Sequence, residues 1–259
     1  MIKKLIKHDT KKMFWVLGYI YIISIALAGI TRLFGIWSEI QFLNIIGKVF
    51  QGITYSAICN ILVNTFISIL KVFCSGFYGK ESYLTHTLPI TKDKLLLSKY
   101  ISGLIVIISS LIVSFVTLFI MHYSKSFINL LKALIQTISG NFNVTLFIFL
   151  VILIIFAEIC AFISMSFTAI VKANTYNSKR VLKGLLWFVV YYFGSMIAVL
   201  IVSVIIFALT GNISNLFSST LSKSSFLTLI LTCLVLYISF IFIFYFICKK
   251  LFKKGVNVD

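Results

Sequence analysis

The chain has 259 residues, of which 61% are apolar and 11% charged, with 26 Phe, one Pro and a mean hydropathy of +1.11. This excludes a soluble globular domain, which leaves too much of its surface wet to hide so apolar a chain. It equally excludes disorder, which requires few aromatic and β-branched residues.

The 23 Lys and Arg against 6 Asp and Glu give a net charge of +17. These basic residues sit almost wholly between apolar runs, where they suit the anionic inner leaflet of a membrane. Lys outnumbers Arg 21 to 2, which argues against nucleic acid as a partner, because Arg is the preferred reader of phosphates and guanine edges.

In chain order, residues 1–13 place Ile2, Leu5, Ile6 and Met13 near one face, with Lys3, Lys4, Lys7, Lys11 and Lys12 around the rest. That pattern suits a short amphipathic helix lying on the inner membrane surface, or a basic tail that anchors topology. No small-residue cleavage pattern precedes the polar segment 31–39, so a cleavable signal is not expected. Six apolar stretches then follow within a single transmembrane domain spanning 1–259: 14–34, 50–73, 101–123, 144–171, 185–210 and 225–248. Each can cross a hydrocarbon core of about 30 Å, which takes about 20 helical residues. Helices are required because a chain in lipid must satisfy its own backbone groups. Residues 144–157 lack the alternation of a β-barrel strand. The expected fold is therefore an all-α membrane protein of six transmembrane helices.

Of the 23 basic residues, 18 lie in the N-terminal tail, the second and fourth connections and the C-terminal tail, and 5 lie in the alternate connections. The positive-inside rule then puts both termini in the cytoplasm.

The motifs of nucleotide and hydrolytic chemistry are missing: no GxxxxGK[ST], HExxH or GxSxG occurs. Cys59, Cys74, Cys160, Cys233 and Cys248 form no CxxC pair, and His8, His86 and His122 form no ligand motif, so neither a disulfide framework nor a metal site is expected.

Three features carry possible function. In the second span Ser56, Asn60, Asn64 and Ser68 recur every four residues, within an arc of about 120°. The stripe reads as the lining of a translocation path or as interhelical hydrogen bonding. Tyr191 and Ser195 form a weaker companion in the fifth span, where aromatic packing is the plainer reading. Glu158 is the one acidic residue inside the spans. Ionised at mid-bilayer it costs about 2.5–3.5 kcal/mol or more, so it should face protein or water. There it could contact a substrate, carry a coupled proton, or fix packing by a hydrogen bond. The third feature is the connection 79–99. Tyr83, Leu84, Thr87 and Leu88 share one face of a short helix that Pro89 ends. Thr91 then caps the next helix, Asp93 sits in its first turn, and Lys99 can snorkel to the surface. Such an element either transmits a push from a soluble partner or is a passive surface loop.

The run Leu88, Pro89, Ile90, Thr91 with Ser98 and Lys99, preceded by Tyr83 and Leu84, resembles the segment before the third span of bacterial type-2 ATP-binding-cassette exporter permeases. The resemblance implies a permease subunit in a bacterial plasma membrane, moving an amphipathic drug, peptide or lipid outward and not itself an enzyme. A separate cytoplasmic ATPase subunit would carry ATP and Mg, this chain binding no cofactor, and a second permease chain, identical or homologous, would complete the path. It further implies a coupling helix at Glu81, Tyr83, Leu84, Thr87, Leu88 and Pro89, and a path lined by the second and fifth spans. The connection 211–224 is short, so members with a large external domain there are not a guide. The alternative is a proton-coupled secondary carrier using Glu158, although no internal repeat and no Pro-interrupted span supports it.

Overall fold

The computed structural model describes residues 2–36, 40–79, 81–87, 89–123, 127–130, 132–133, 135–136, 144–176, 179–210 and 223–253. Seven helices follow one another among the described residues: α1 (Ile2–Ile36), α2 (Gln41–Tyr78), α3 (Ser82–Thr87), α4 (Lys92–His122), α5 (Val144–Ala173), α6 (Arg180–Leu209) and α7 (Lys223–Lys253). All but α3 are long and apolar enough to cross a membrane, which makes this a multi-pass membrane protein. The six expected spans lie within them, except that Tyr123 and Thr210 cap the ends of α4 and α6.

Residues 2–13 are neither a separate surface helix nor a loose tail; they are the opening turns of α1. The reason is packing. Asp9, Met13, Leu17, Tyr21, Ser24, Ala28 and Thr31 are buried at steps of three and four, so one stripe continues from the basic segment into the span. Thirty-five residues reach roughly 52 Å, against a hydrocarbon core of about 30 Å. Exposed Trp15 and Tyr19 suit the aromatic belt at one interface, which leaves the first dozen residues beyond it.

The chain divides into two compact units, Met1–Lys132 and Ala133–Asp259. In the first, α1 packs against α2 and α4, and polar side chains tie the three helices at successive depths. Ser110 of α4 lies 2.6 Å from both the Tyr21 hydroxyl of α1 and Thr65 Oγ1 of α2. Thr31 and Thr54 join α1 to α2 at 2.7 Å, and Tyr55 joins α2 to His122 of α4 at 2.6 Å. Lipid offers helices little hydrophobic reason to associate, so such bonds and close packing hold them.

In the second unit α5 packs against α6 and α7. Ala157, Cys160, Ala161, Ser164, Thr168, Ala169 and Ala173 are all buried on α5, small enough to let backbones approach. Thr168 Oγ1 donates to the carbonyls of Ser164 at 2.7 Å and Phe244 of α7 at 2.9 Å. Where α5 meets α6, a Cβ on Gly184 would lie 3.3 Å from that of Ala173. Lys179 caps α6 with φ 51, and Lys172 Nζ lies 3.1 Å from the centre of the Trp187 ring, a cation–π contact that joins the same two helices.

Ser110 provides the test of this account. Ser110→Ala should lower stability in detergent micelles by about 1 kcal/mol, because it orphans the buried Tyr21 hydroxyl. Ser109→Ala should cost only a few tenths, since Ser109 bonds its own helix at Val106. Equal thermal midpoints for the two variants would contradict the three-helix node.

Candidate functional site

The first candidate site lies where α1, α2, α3 and α4 begin or end. Asp9 and Lys99 are 3% and 5% exposed, and Lys99 Nζ lies 2.9 Å from each oxygen of the Asp9 carboxylate. Lys99 therefore does not snorkel to the surface as its position at the start of a span suggested. A carboxylate on α1 draws it inward, and burial of both charges is tolerable only because each answers the other. Gly76 of α2 makes room, since a Cβ there would lie 2.8 Å from Lys99 Nζ. Phe77 places its ring 5.9 Å from the same ammonium.

One turn further along α1, Lys12 donates a hydrogen bond to Glu81, the residue that leads into α3. This pair is partly exposed. The Lys12 hydrogen bond holds the Glu81 carboxyl below its ordinary value, helped by the Lys12 charge, a hydrogen bond from Ser75 and the charge of Lys99, against the opposing effect of burial. Helix α3 turns Ser82 and Thr85 inward and leaves Tyr83, 71% exposed, and Thr87 on the outer side. Thr87 and Tyr83 thus share an outward face as their spacing implied. Leu88 and the side chain of Leu84 lie outside the described residues. Pro89 is exposed in the turn to α4. Thr91 occupies the cap position of α4, but its side chain makes no capping bond; its carbonyl accepts from the amides of Lys94 and Leu95. Asp93 falls in the first turn, as expected. Ile2 and Lys3 of α1 border a shallow depression of about 410 Å³ with Pro89, Ile90, Thr91 and Lys94.

The stripe on α2 faces away from α1 and α4. Ser56 and Asn60 are exposed, and Asn64 and Ser68 half-buried. Asn64 Nδ2 donates to the Asn60 carbonyl at 2.9 Å and also to its side-chain oxygen. The packing face of α2 is instead Thr54, Ile58, Ile61, Thr65 and Ile69, and among the described residues the stripe's hydrogen bonds stay within α2.

The second candidate site lies within the second unit. Glu158 of α5, Tyr192 and Ser195 of α6, and Tyr237 of α7 line one open-sided pocket of about 320 Å³ together with Phe162, Met165, Met196 and neighbours, and Glu158 is itself exposed at its mouth. Glu158 and Ser195 are thereby brought together. Ser195 Oγ donates to the Tyr192 carbonyl at 2.7 Å. Tyr191 is not in this group; its ring packs 5.1 Å from that of Phe244 against Ala161 and Met165, which is the aromatic packing anticipated for it.

Sequence reasoning missed the Asp9–Lys99 pair. The available signal was Asp9 itself, the one acid in an otherwise basic leader, which has no reason to be there unless it answers a buried cation. No group of His, Cys, Asp and Glu suited to a metal ion occurs among the described residues.

Two measurements probe the junction. Asp9→Ala strands a buried ammonium and should cost about 3–5 kcal/mol, whereas Asp9→Leu with Lys99→Met should recover most of it. A double variant as unstable as the single one would show the pair is not the source. Because the Glu81 value is lowered, its bond to Lys12 contributes fully above the ordinary carboxylate value of 4.5 and fades as pH falls through the lower folded value. The pair is partly exposed, so Lys12→Ala should cost less than about 1 kcal/mol at neutral pH. That deficit should shrink towards zero on acidification, as read from thermal midpoints in micelles; a deficit that grows instead contradicts the sign.

No protein-family model, curated protein or solved structure matches this chain.

Proposed function

We propose that this chain is the transmembrane subunit of an ATP-driven exporter of the type-2 cassette kind, resident in a bacterial plasma membrane with both termini in the cytoplasm. It moves an amphipathic drug, peptide or lipid, and a separate ATPase subunit supplies the energy. The observation that carries the reading is the mounting of α3. A six-residue helix with an exposed Tyr83 hangs between two spans, tied through Glu81 to α1. The neighbouring Asp9–Lys99 pair in turn clamps α1 to the start of α4. A push on Tyr83 and Thr87 is therefore delivered to packed helices instead of being absorbed by a floppy loop, which is what a coupling element for a soluble ATPase needs. The Ser56, Asn60, Asn64 and Ser68 stripe, turned away from its own unit's packing face, suits a path completed by a second permease chain, because polar groups do not face lipid cheaply. The 18-to-5 distribution of basic residues supports the orientation, and anionic lipids are its partners.

A second reading, a proton-coupled carrier, has one observation in its favour: Glu158 lines a cavity together with Ser195 and two tyrosines.

One experiment separates the two. The full chain is purified gently from its native membrane and its companions are identified. An ATPase with a phosphate loop should accompany it, and Tyr83→Asp, a change on an exposed side chain, should release that ATPase by tenfold or more while the chain stays monodisperse. Recovery of the chain alone, with transport that tracks a proton gradient, would overturn the exporter reading in favour of the carrier.

A further inference from the structure

Among the described residues of its own unit Glu158 has no counter-charge, and its surroundings are aromatic. It is the only acidic side chain among the described residues of 133–259, and it makes no hydrogen bond or ion pair there. The basic residues described in that unit sit towards the helix ends. Lys172 is 14 residues along α5 from Glu158, about 21 Å at 1.5 Å per residue, and its ammonium is spent on the Trp187 and Tyr191 rings. Arg180 and Lys183 stand at least 12 residues before Ser195 on α6, and Lys249 stands 12 beyond Tyr237 on α7, each about 18 Å or more away along its helix. The titratable side chains that share the pocket lining with the carboxyl are the Tyr192 and Tyr237 phenols, neither of them a cation. Lining the pocket with it are Tyr192, Tyr237 and Phe162, with Met165 and Met196. Phe162 and Tyr192 hold each other edge to face, 5.8 Å between centres, with Phe188 behind both.

We infer that this cavity is a binding site for a lipophilic organic cation: a flat or globular apolar body bearing a quaternary or protonated nitrogen, or another delocalised positive charge. The chemistry is complementary at each point. A carboxylate within a membrane span is costly without a positive partner, and the ligand supplies the charge that the protein withholds. Aromatic faces attract cations through their quadrupoles, and methionine thioethers adapt to apolar bodies of varied shape. The volume of about 320 Å³ falls in the range of small-molecule sites. Ser195, whose proton goes to the Tyr192 carbonyl, leaves one hydroxyl oxygen on the same pocket lining, enough to orient a ligand without demanding a specific hydrogen-bonding pattern. As the cargo site of an exporter this rests on the reading proposed above, and it narrows the amphipathic cargo to the positively charged members of that class. As a cation-binding site it can be measured without any ATPase.

The probe is tetraphenylphosphonium, titrated by equilibrium dialysis against the purified full chain in micelles. Tetraphenylborate, of matching shape and opposite charge, is the control. Saturable binding of the cation at one site per chain is expected, at least tenfold tighter than the anion. Glu158→Gln should weaken cation binding at least tenfold and narrow the gap between the two ions, and Tyr192→Ala should weaken it several-fold. Should Glu158→Gln fail to give a monodisperse chain, Ser195→Trp, which fills the cavity and leaves the carboxyl in place, decides the matter: loss of binding supports the site. Equal binding of the two ions, unchanged affinity in monodisperse Glu158→Gln, or unchanged affinity in Ser195→Trp would each overturn it. A chain that binds the cation but brings no ATPase from the membrane keeps this site and loses the exporter; the reverse result keeps the exporter and loses this site.

Discussion

The buried pair of Asp9 and Lys99 is the constraint on which the first unit depends. Two opposite charges withdrawn from water are a poor source of stability compared with apolar replacements of the same volume, but a costly thing to separate. The pair therefore acts less as glue than as register. It sets which turn of α1 lies beside the start of α4, and through the space left by Gly76 it sets how α2 passes them both. Once that register is set, the hydroxyl contacts deeper in the unit follow at their depths, Ser110 with Tyr21 and Thr65, then Thr31 with Thr54. A helix shifted by one turn would break all of them together.

The same junction explains why the chain carries helix well beyond what the bilayer requires. The segment before Trp15 is too basic to enter hydrocarbon and too well packed to drift in solvent. Its charge is divided between an inward carboxylate that answers Lys99, Lys12 that answers Glu81, and the remaining lysines on the outer side. A short α3 attached at this point inherits the rigidity of three longer helices, although six residues could not hold a helix in water by themselves. Mechanical continuity, not α3 alone, is what the proposed coupling role draws on.

The second unit solves a different problem. Small side chains along α5 let α6 and α7 approach, and one side-chain hydroxyl, that of Thr168, reaches across to the backbone of α7. Where the small residues give way to Glu158, the helices leave a cavity. Close packing and an open pocket on one helix differ there by the side chains of two or three turns.

Six spans, their approximate ends and the absence of strand among the described residues were legible from hydropathy and length alone, because a bilayer imposes a single length scale on any chain that crosses it. The short helix closed by Pro89 was legible from local stereochemistry, as was the position of Asp93 in the first turn of α4. The aromatic role of Tyr191 could be read from its neighbours. What could not be read depends on which residues distant in sequence meet. Lys99 looks like a surface lysine until Asp9, 90 residues earlier, is placed beside it; the N-terminal dozen looks like a separate surface helix until its buried stripe is seen to continue into α1. The periodicity of Ser56 to Ser68 put those residues on one face, but only packing decided that the face turns away from α1 and α4. Composition and period determine which segments enter the membrane, since those are properties of each segment with its solvent. Pairing of helix faces, burial of the Asp9 and Lys99 charges and the meeting of Glu158 with Tyr192, Ser195 and Tyr237 around one pocket are properties of two or more segments together, and tertiary structure alone decides them.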